Sequence, residues 1–213
     1  MGILFVAAVA GTGLYLALQR QAPAQGSAEA GFARDMQVHH AQAVEMALIV
    51  REKSTDPVLR AVAYDIATSQ QQQMGQMYAW LEMWQLPQFG TYKAMDWMQG
   101  MDHSSMDSSS GTGDSDGMRM TLLADGRMPG MATGGDVQRL RDLSGKRAEV
   151  LFLQLMTTHH KAGVMMAAAI LQATDEPAVK NLARAIRTAQ AAEIKTMQDM
   201  LAQRGATPST EAG

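Results

Sequence analysis

No cysteine occurs in this 213-residue chain. That absence excludes disulfide scaffolds, thiolate zinc sites, cysteine nucleophiles and cysteine-ligated blue copper. Aromatic residues make up only 5% of the chain, which is poor material for a β-sandwich. An excess of charge of one sign is lacking too: 18 Lys and Arg against 21 Asp and Glu leave a formal charge of −3. Nucleic-acid binders carry a basic patch, so that class is set aside. His-Glu-x-x-His and Glu-x-x-His are both missing, which argues against zincin peptidases and di-iron carboxylate bundles. Methionine is abundant instead, with 19 residues against five histidines. Methionine packs cores, but it is also a soft thioether ligand.

Residues Ile3 to Leu18 are almost wholly apolar and uncharged. Such a run is short for a membrane span and suits the apolar region of a signal peptide, with Ala22-Pro23-Ala24 as a small-residue cleavage site. No Lys or Arg precedes it, and Arg20 follows it, so an uncleaved anchor is the alternative. Both readings place the remainder outside the cytoplasm, periplasmic or secreted, and residues 1–30 are kept out of the fold argument.

The remainder repeats itself at an offset of 120. Residues 32–81 and 152–201 are identical at 14 of 50 positions, among them Phe32, Met36, His39, His40, Met46, Pro57, Gln70, Met77 and Leu81. Each copy reads as a helical hairpin. Phe32, Met36, Ala43, Val44, Ala47 and Val50 follow the 3.6-residue period up to Lys53. Ser54-Thr55-Asp56-Pro57 interrupts it, with Asp56 placed to cap a second helix and Pro57 at its first turn. Thr174-Asp175-Glu176-Pro177 repeats that break, and Arg204-Gly205 ends the second copy. Two hairpins predict an all-α antiparallel four-helix bundle with pseudo-two-fold symmetry. The expected layout is hairpins over 31–85 and 136–205, a flexible Met-rich linker over 86–135 and a disordered tail over 206–213. A short helix is expected near 136–143.

Met36, His39, Ala43 and Met46 are spaced to share one helical face, with His40 at its edge. Met156, His159, Gly163 and Met166 repeat the arrangement, with His160 alongside. On the partner helices, Gln70, Gln73 and Met77 correspond to Gln190, Glu193 and Met197. A methionine stripe alone signals core packing. The His pair is different: it survives in both copies while most positions have drifted, and four buried imidazoles are costly unless satisfied. Imidazole and thioether without thiolate point to copper, Cu(I) ahead of Cu(II). In the linker, Met101-Asp-His103-Ser-Ser-Met106 places one imidazole between two thioethers and resembles the Met-Asp-His-Ser-x-Met elements of bacterial copper-resistance proteins. Met95, Met98, Met118, Met120, Met128 and Met131 surround it, and a solvated linker offers no core to explain them.

The doubled Met-x-x-His-His-x-x-Ala/Gly-x-x-Met element, together with Met128-Pro129-Gly130-Met131-Ala132, resembles the bacterial family called domain of unknown function 305 (DUF 305) over about residues 31–205. The resemblance implies a ferritin-like four-helix bundle, usually exported, with some members linked to copper binding and tolerance. Its Gln-x-x-Glu-Ile-x-x-Met element matches Gln190, Glu193, Ile194 and Met197, whereas the first copy has Gln73 and Met74 in the middle positions. If the Glu is a ligand or orients a His, the halves are not equivalent.

The expected function is an exported copper-binding protein that sequesters or delivers copper, without a catalytic constellation and without an organic cofactor. Its candidate metal ligands are Met36, His39, His40, Met46, Met156, His159, His160, Met166 and Glu193, with Met101, His103 and Met106 as an accessory site. Expected partners are copper ions, a copper-handling protein and, if residues 3–18 remain attached, the membrane. The alternatives are a metal-dependent oxidoreductase on the same bundle and a metal-free helical interaction module.

Overall fold

A computed structural model of the chain describes residues 22–90, 92–99 and 121–209. The apolar segment 3–18 and the accessory residues Met101, His103 and Met106 lie outside them. Among the described residues there are five α-helices and no strand: α1 (Ala28–Lys53), α2 (Pro57–Met83), α3 (Gly134–Asp142), α4 (Gly145–Ala173) and α5 (Pro177–Gln203). None of these helices is long and apolar enough to cross a membrane.

The helix limits have local causes. Asp56 Oδ1 accepts from the amides of Val58 (2.8 Å) and Leu59 (3.3 Å), and Pro57 opens α2. Glu176 and Pro177 open α5 in the same way. The capping box of Thr133 and Asp136 starts α3. Gly205, at φ 66°, turns the chain after α5, a conformation that favours glycine. One boundary differs from the expectation. The first helix starts at Ala28 and not at Phe32, because the Ser27 hydroxyl accepts from the Ala30 amide at 3.3 Å and Glu29 sits in the first turn. Residues 28–30, set aside with the leader, thus belong to the helical core.

α1 pairs with α2 and α4 with α5, and the hairpins meet through α1 and α4. Two matching hydrogen bonds latch them. Ser54 Oγ, in the first hairpin's turn, donates to Glu149 at the start of α4 (2.6 Å). Thr174 Oγ1, in the second hairpin's turn, donates to Glu29 at the start of α1 (2.6 Å). These pairs interchange under the offset of 120, as a pseudo-two-fold axis requires. Arg204 strengthens only one latch, donating to Glu149 (2.9 Å) and Asp56 (2.5 Å); its repeat counterpart is Trp84.

The linker is only partly as expected. Its described flanks pack on the helices, and Met95, Met98 and Met128 are buried. Packing therefore accounts for these three methionines, contrary to the reading of a solvated linker. The anchor is Asp35 on α1, which accepts from the Met95 amide (2.8 Å) and the Trp97 indole N–H (2.9 Å). Gly31 makes room for that indole, since a Cβ there would lie 2.5 Å from Trp97 Cδ1.

Arg204→Met should destabilise the metal-free protein by about 3 kcal/mol in denaturant unfolding, because it leaves the nearly buried Glu149 carboxylate with the Ser54 hydroxyl and no opposite charge. A loss below about 1 kcal/mol would mean that the latch contributes little.

Candidate metal centre

The His pairs lie where α1 crosses α4. His39, His40, His159 and His160 are all fully buried. The His39 and His159 rings stack face to face, with centroids 3.7 Å apart and planes inclined by 30°. His40 and His160 flank this central pair, each 6.3 Å by ring centroid from its sequence neighbour.

The outer rings are oriented from the second helix of each hairpin. His40 Nε2 lies 2.6 Å from Gln73 Oε1, and His160 Nε2 lies 2.7 Å from Glu193 Oε2. An amide oxygen and a carboxylate both accept, so each Nε2 carries the proton and donates it. That tautomer leaves a lone pair on Nδ1, and neither Nδ1 has a partner. A His held by one nitrogen so that the other is bare is the usual arrangement behind a metal-ligating imidazole. Glu193, a candidate ligand from sequence, thus engages a His in the structure.

Both nitrogens of His39 and of His159 are buried without a hydrogen-bond partner, as are both amide atoms of Gln70 and Gln190. Leaving such a group unsatisfied costs about 1–3 kcal/mol. Their concentration in one layer, on residues shared by both repeats, fits a centre whose partners are supplied by something bound. Gln70 and Gln190 were not among the candidate ligands. Their signal was present, since Gln is identical in the two copies at a position that faces the core. Gly163 brings Gln190 against the centre: a Cβ there would lie 2.3 Å from Gln190 Oε1 and 3.2 Å from His39 Cε1.

Thioethers bracket this layer. Met36, Met77 and Met166 are fully buried in one apolar cluster, and Met46, Met156 and Met197 in the other. The offset of 120 exchanges the sets, Met36 with Met156, Met166 with Met46 and Met77 with Met197. Each set draws from both hairpins because α1 and α4 cross antiparallel, bringing the start of one near the end of the other. Met77 and Met197 join the four methionines chosen from sequence. Among the described residues, no three His, Asp or Glu side chains group as a metal site on their own.

Residues 29–201 match the family described as domain of unknown function (DUF305). The chain belongs to the DUF305 family. A candidate secreted DUF305 protein of Streptomyces coelicolor is 42% identical, with 88% of this chain and 100% of its own covered and a TM-score of 0.73. A DUF305 fragment from Deinococcus radiodurans is 32% identical, covering 85% and 99%, with a TM-score of 0.63. CopM in its Cu(I)-bound form is 21% identical, covering 84% and 98%, with a TM-score of 0.58; at that identity it shows a shared fold. No curated protein matches the chain.

Burial disfavours the charged form of three of the imidazoles, those of His39, His40 and His159. Desolvation pushes His39 and His159 well below the usual histidine range, and the neighbouring His rings add to it. Desolvation also lowers His40 to about 4, against a smaller opposing effect of the Gln73 hydrogen bond. In the unfolded chain these groups take up protons near pH 6.5. Between there and about pH 4 the unfolded state therefore binds more protons, and stability falls as pH falls. Asp35 acts oppositely: desolvation raises it to about 6 despite the Met95 and Trp97 hydrogen bonds, so its contribution falls as pH rises through that value. Three imidazoles outweigh one carboxyl. The denaturation midpoint of the metal-free protein should drop between pH 7 and 4.5, and less steeply in His40→Gln. A midpoint that rises on acidification would contradict the buried neutral core.

Proposed function

We propose that this DUF305 protein is an exported copper-binding protein that takes Cu(I) into its core, for sequestration or delivery to a copper-handling partner. The observation that carries this reading is a layer of four buried imidazoles, six of whose eight ring nitrogens lack a partner, set between two buried thioether sets. Neutral imidazoles and thioethers without thiolate suit copper, and the thioethers favour the monovalent ion. CopM, of the same fold, has been solved with Cu(I), Cu(II) and Ag bound, which supports the metal class. The apolar segment 3–18 and the candidate secreted relative support export.

His39, His40, His159 and His160 would supply nitrogen, with Gln73 and Glu193 holding the outer rings for use of Nδ1. Met36, Met77 and Met166 on one side, and Met46, Met156 and Met197 on the other, would supply sulfur. Met101, His103 and Met106 would form the accessory site in the linker. The role is binding, not turnover.

Anaerobic competition titration against a chromophoric Cu(I) chelator tests this. The full chain should bind Cu(I) more tightly than about micromolar, a free energy beyond about −8 kcal/mol. Met36→Leu with Met166→Leu keeps volume and should cost the fold little, yet weaken Cu(I) binding. Substituting Gln at all four paired His should abolish the tight phase. Unchanged affinity in both variants would refute a core site.

A further inference from the structure

The two hairpins end on the same backbone but present different side chains. After α2 the chain turns at Gln85 (φ 56°), and the Leu86 amide donates to Leu81 O at 2.8 Å; after α5 it turns at Gly205 (φ 66°), and the Ala206 amide donates to Leu201 O at 3.0 Å. Each loop is then fastened to the first helix of its hairpin, by Arg34 Nε donating to Pro87 O (2.9 Å) and by Gln154 Nε2 donating to Thr207 O (2.9 Å). All of these contacts are related by the offset of 120, so the two ends can be compared position by position. Tyr78, Met83, Trp84 and Phe89 stand where the second copy has Gln198, Gln203, Arg204 and Ser209.

The apolar residues of the first copy face outward. Tyr78 is 51% exposed, Met83 67% and Phe89 84%. Trp84 is half-buried and stacks on Trp80. Gln88 Nε2 donates to Tyr78 O (3.0 Å) and to Glu82 Oε1 (2.9 Å), which folds the loop carrying Phe89 back on the last turns of α2. Backbone geometry does not require these side chains, since the second copy builds the same turn with polar ones. Exposed apolar groups gathered in one place mark a contact surface.

Arg34 also fixes what lies beside this surface. Its Nη1 donates to Gln25 O at 3.1 Å, so one guanidinium holds both the loop after α2 and the chain entering α1. Only seven residues separate Gln25 from Leu18, where the apolar run 3–18 ends, and seven residues reach at most roughly 25 Å. The matching polar turn after α5 lies at the opposite end of the bundle, a helix length away. For the 27-residue α2 that length is about 40 Å. A bilayer that holds residues 3–18 is therefore within reach of the aromatic end and beyond reach of the polar one. Tyr and Trp, with an apolar body and one polar atom, suit the boundary between headgroups and acyl chains, and Phe and Met can enter its apolar side.

We propose that the end of α2 and the loop after it, carrying Tyr78, Met83, Trp84 and Phe89, form a bilayer-contacting surface that lays this end of the bundle on the membrane beside segment 3–18. The occupant is the lipid interface itself. The turns at Ser54 and Gly205 then point away from the membrane.

The chain has no cysteine, so one introduced thiol carries one nitroxide label. The test uses the full chain in phosphatidylcholine vesicles, labelled in Met83→Cys or, at the repeat-related position, in Gln203→Cys. Electron paramagnetic resonance compares access of each label to oxygen, which concentrates in the bilayer, and to a water-soluble nickel complex, which is excluded from it. Position 83 should favour oxygen and position 203 nickel. Adding Phe89→Ser should shift the label at 83 toward nickel, leave the label at 203 unchanged and keep the helical circular dichroism of the parent. Equal access at the two positions, or no shift with Phe89→Ser, would overturn the proposal. A label at 83 shielded from both reagents would overturn it as well: it would assign the surface to a second copy if labels on two molecules broaden each other's spectrum, and to another part of the chain if they do not.

Discussion

Four imidazoles meet at the crossing of α1 and α4, and the molecule is organised around keeping them there. Stacking His39 on His159 requires the two hairpins to approach closely at one level. That level needs small residues, of which Gly163 is the clearest, and it needs the hairpins held in register at both ends. The Ser54–Glu149 and Thr174–Glu29 latches supply the register. Above and below the crossing the core is ordinary, filled by Leu, Ile, Val, Ala and Met. At the crossing it is not, since apolar packing alone would have no use for ten buried nitrogen and oxygen atoms of His39, His40, His159, His160, Gln70 and Gln190 without partners.

The same layer explains why methionine is so frequent. Some methionines fill space next to rings, as Leu could. The six that bracket the imidazoles occupy positions exchanged by the repeat, and both copies keep a thioether at each. A soft, neutral donor beside a neutral imidazole is a coherent set for a monovalent soft ion. Burial contributes by keeping protons off His39, His40 and His159, so the desolvation that lowers their basicity also keeps their lone pairs available at neutral pH.

Much of this was legible in the sequence because the chain contains its own comparison. The offset of 120 exposed the His pairs, the flanking methionines and both hairpin turns, and Asp56-Pro57 marked a helix start through local chemistry alone. What was not legible depended on packing. Helix α1 begins earlier than its apolar period suggests because of one hydroxyl, on Ser27, next to a stretch read as leader. Met95, Met98 and Met128 looked like solvated linker residues because nothing local reveals that Asp35 and Gly31 hold Trp97 and its neighbours down. The grouping of Met36 with Met166, and of Met46 with Met156, follows only from the antiparallel crossing. Glu193 was recognisable as a candidate, but its position behind His160 required the structure.

The most direct test of the central claim is X-ray absorption at the copper edge of the Cu(I)-loaded full chain. Met101→Leu, His103→Ala and Met106→Leu would remove the linker donors. The account predicts imidazole nitrogen and thioether sulfur together around copper, with the sulfur contribution reduced by Met36→Leu and Met166→Leu. A spectrum with nitrogen and oxygen scatterers alone, or with sulfur alone, would contradict a mixed His/Met centre at the crossing of the two hairpins.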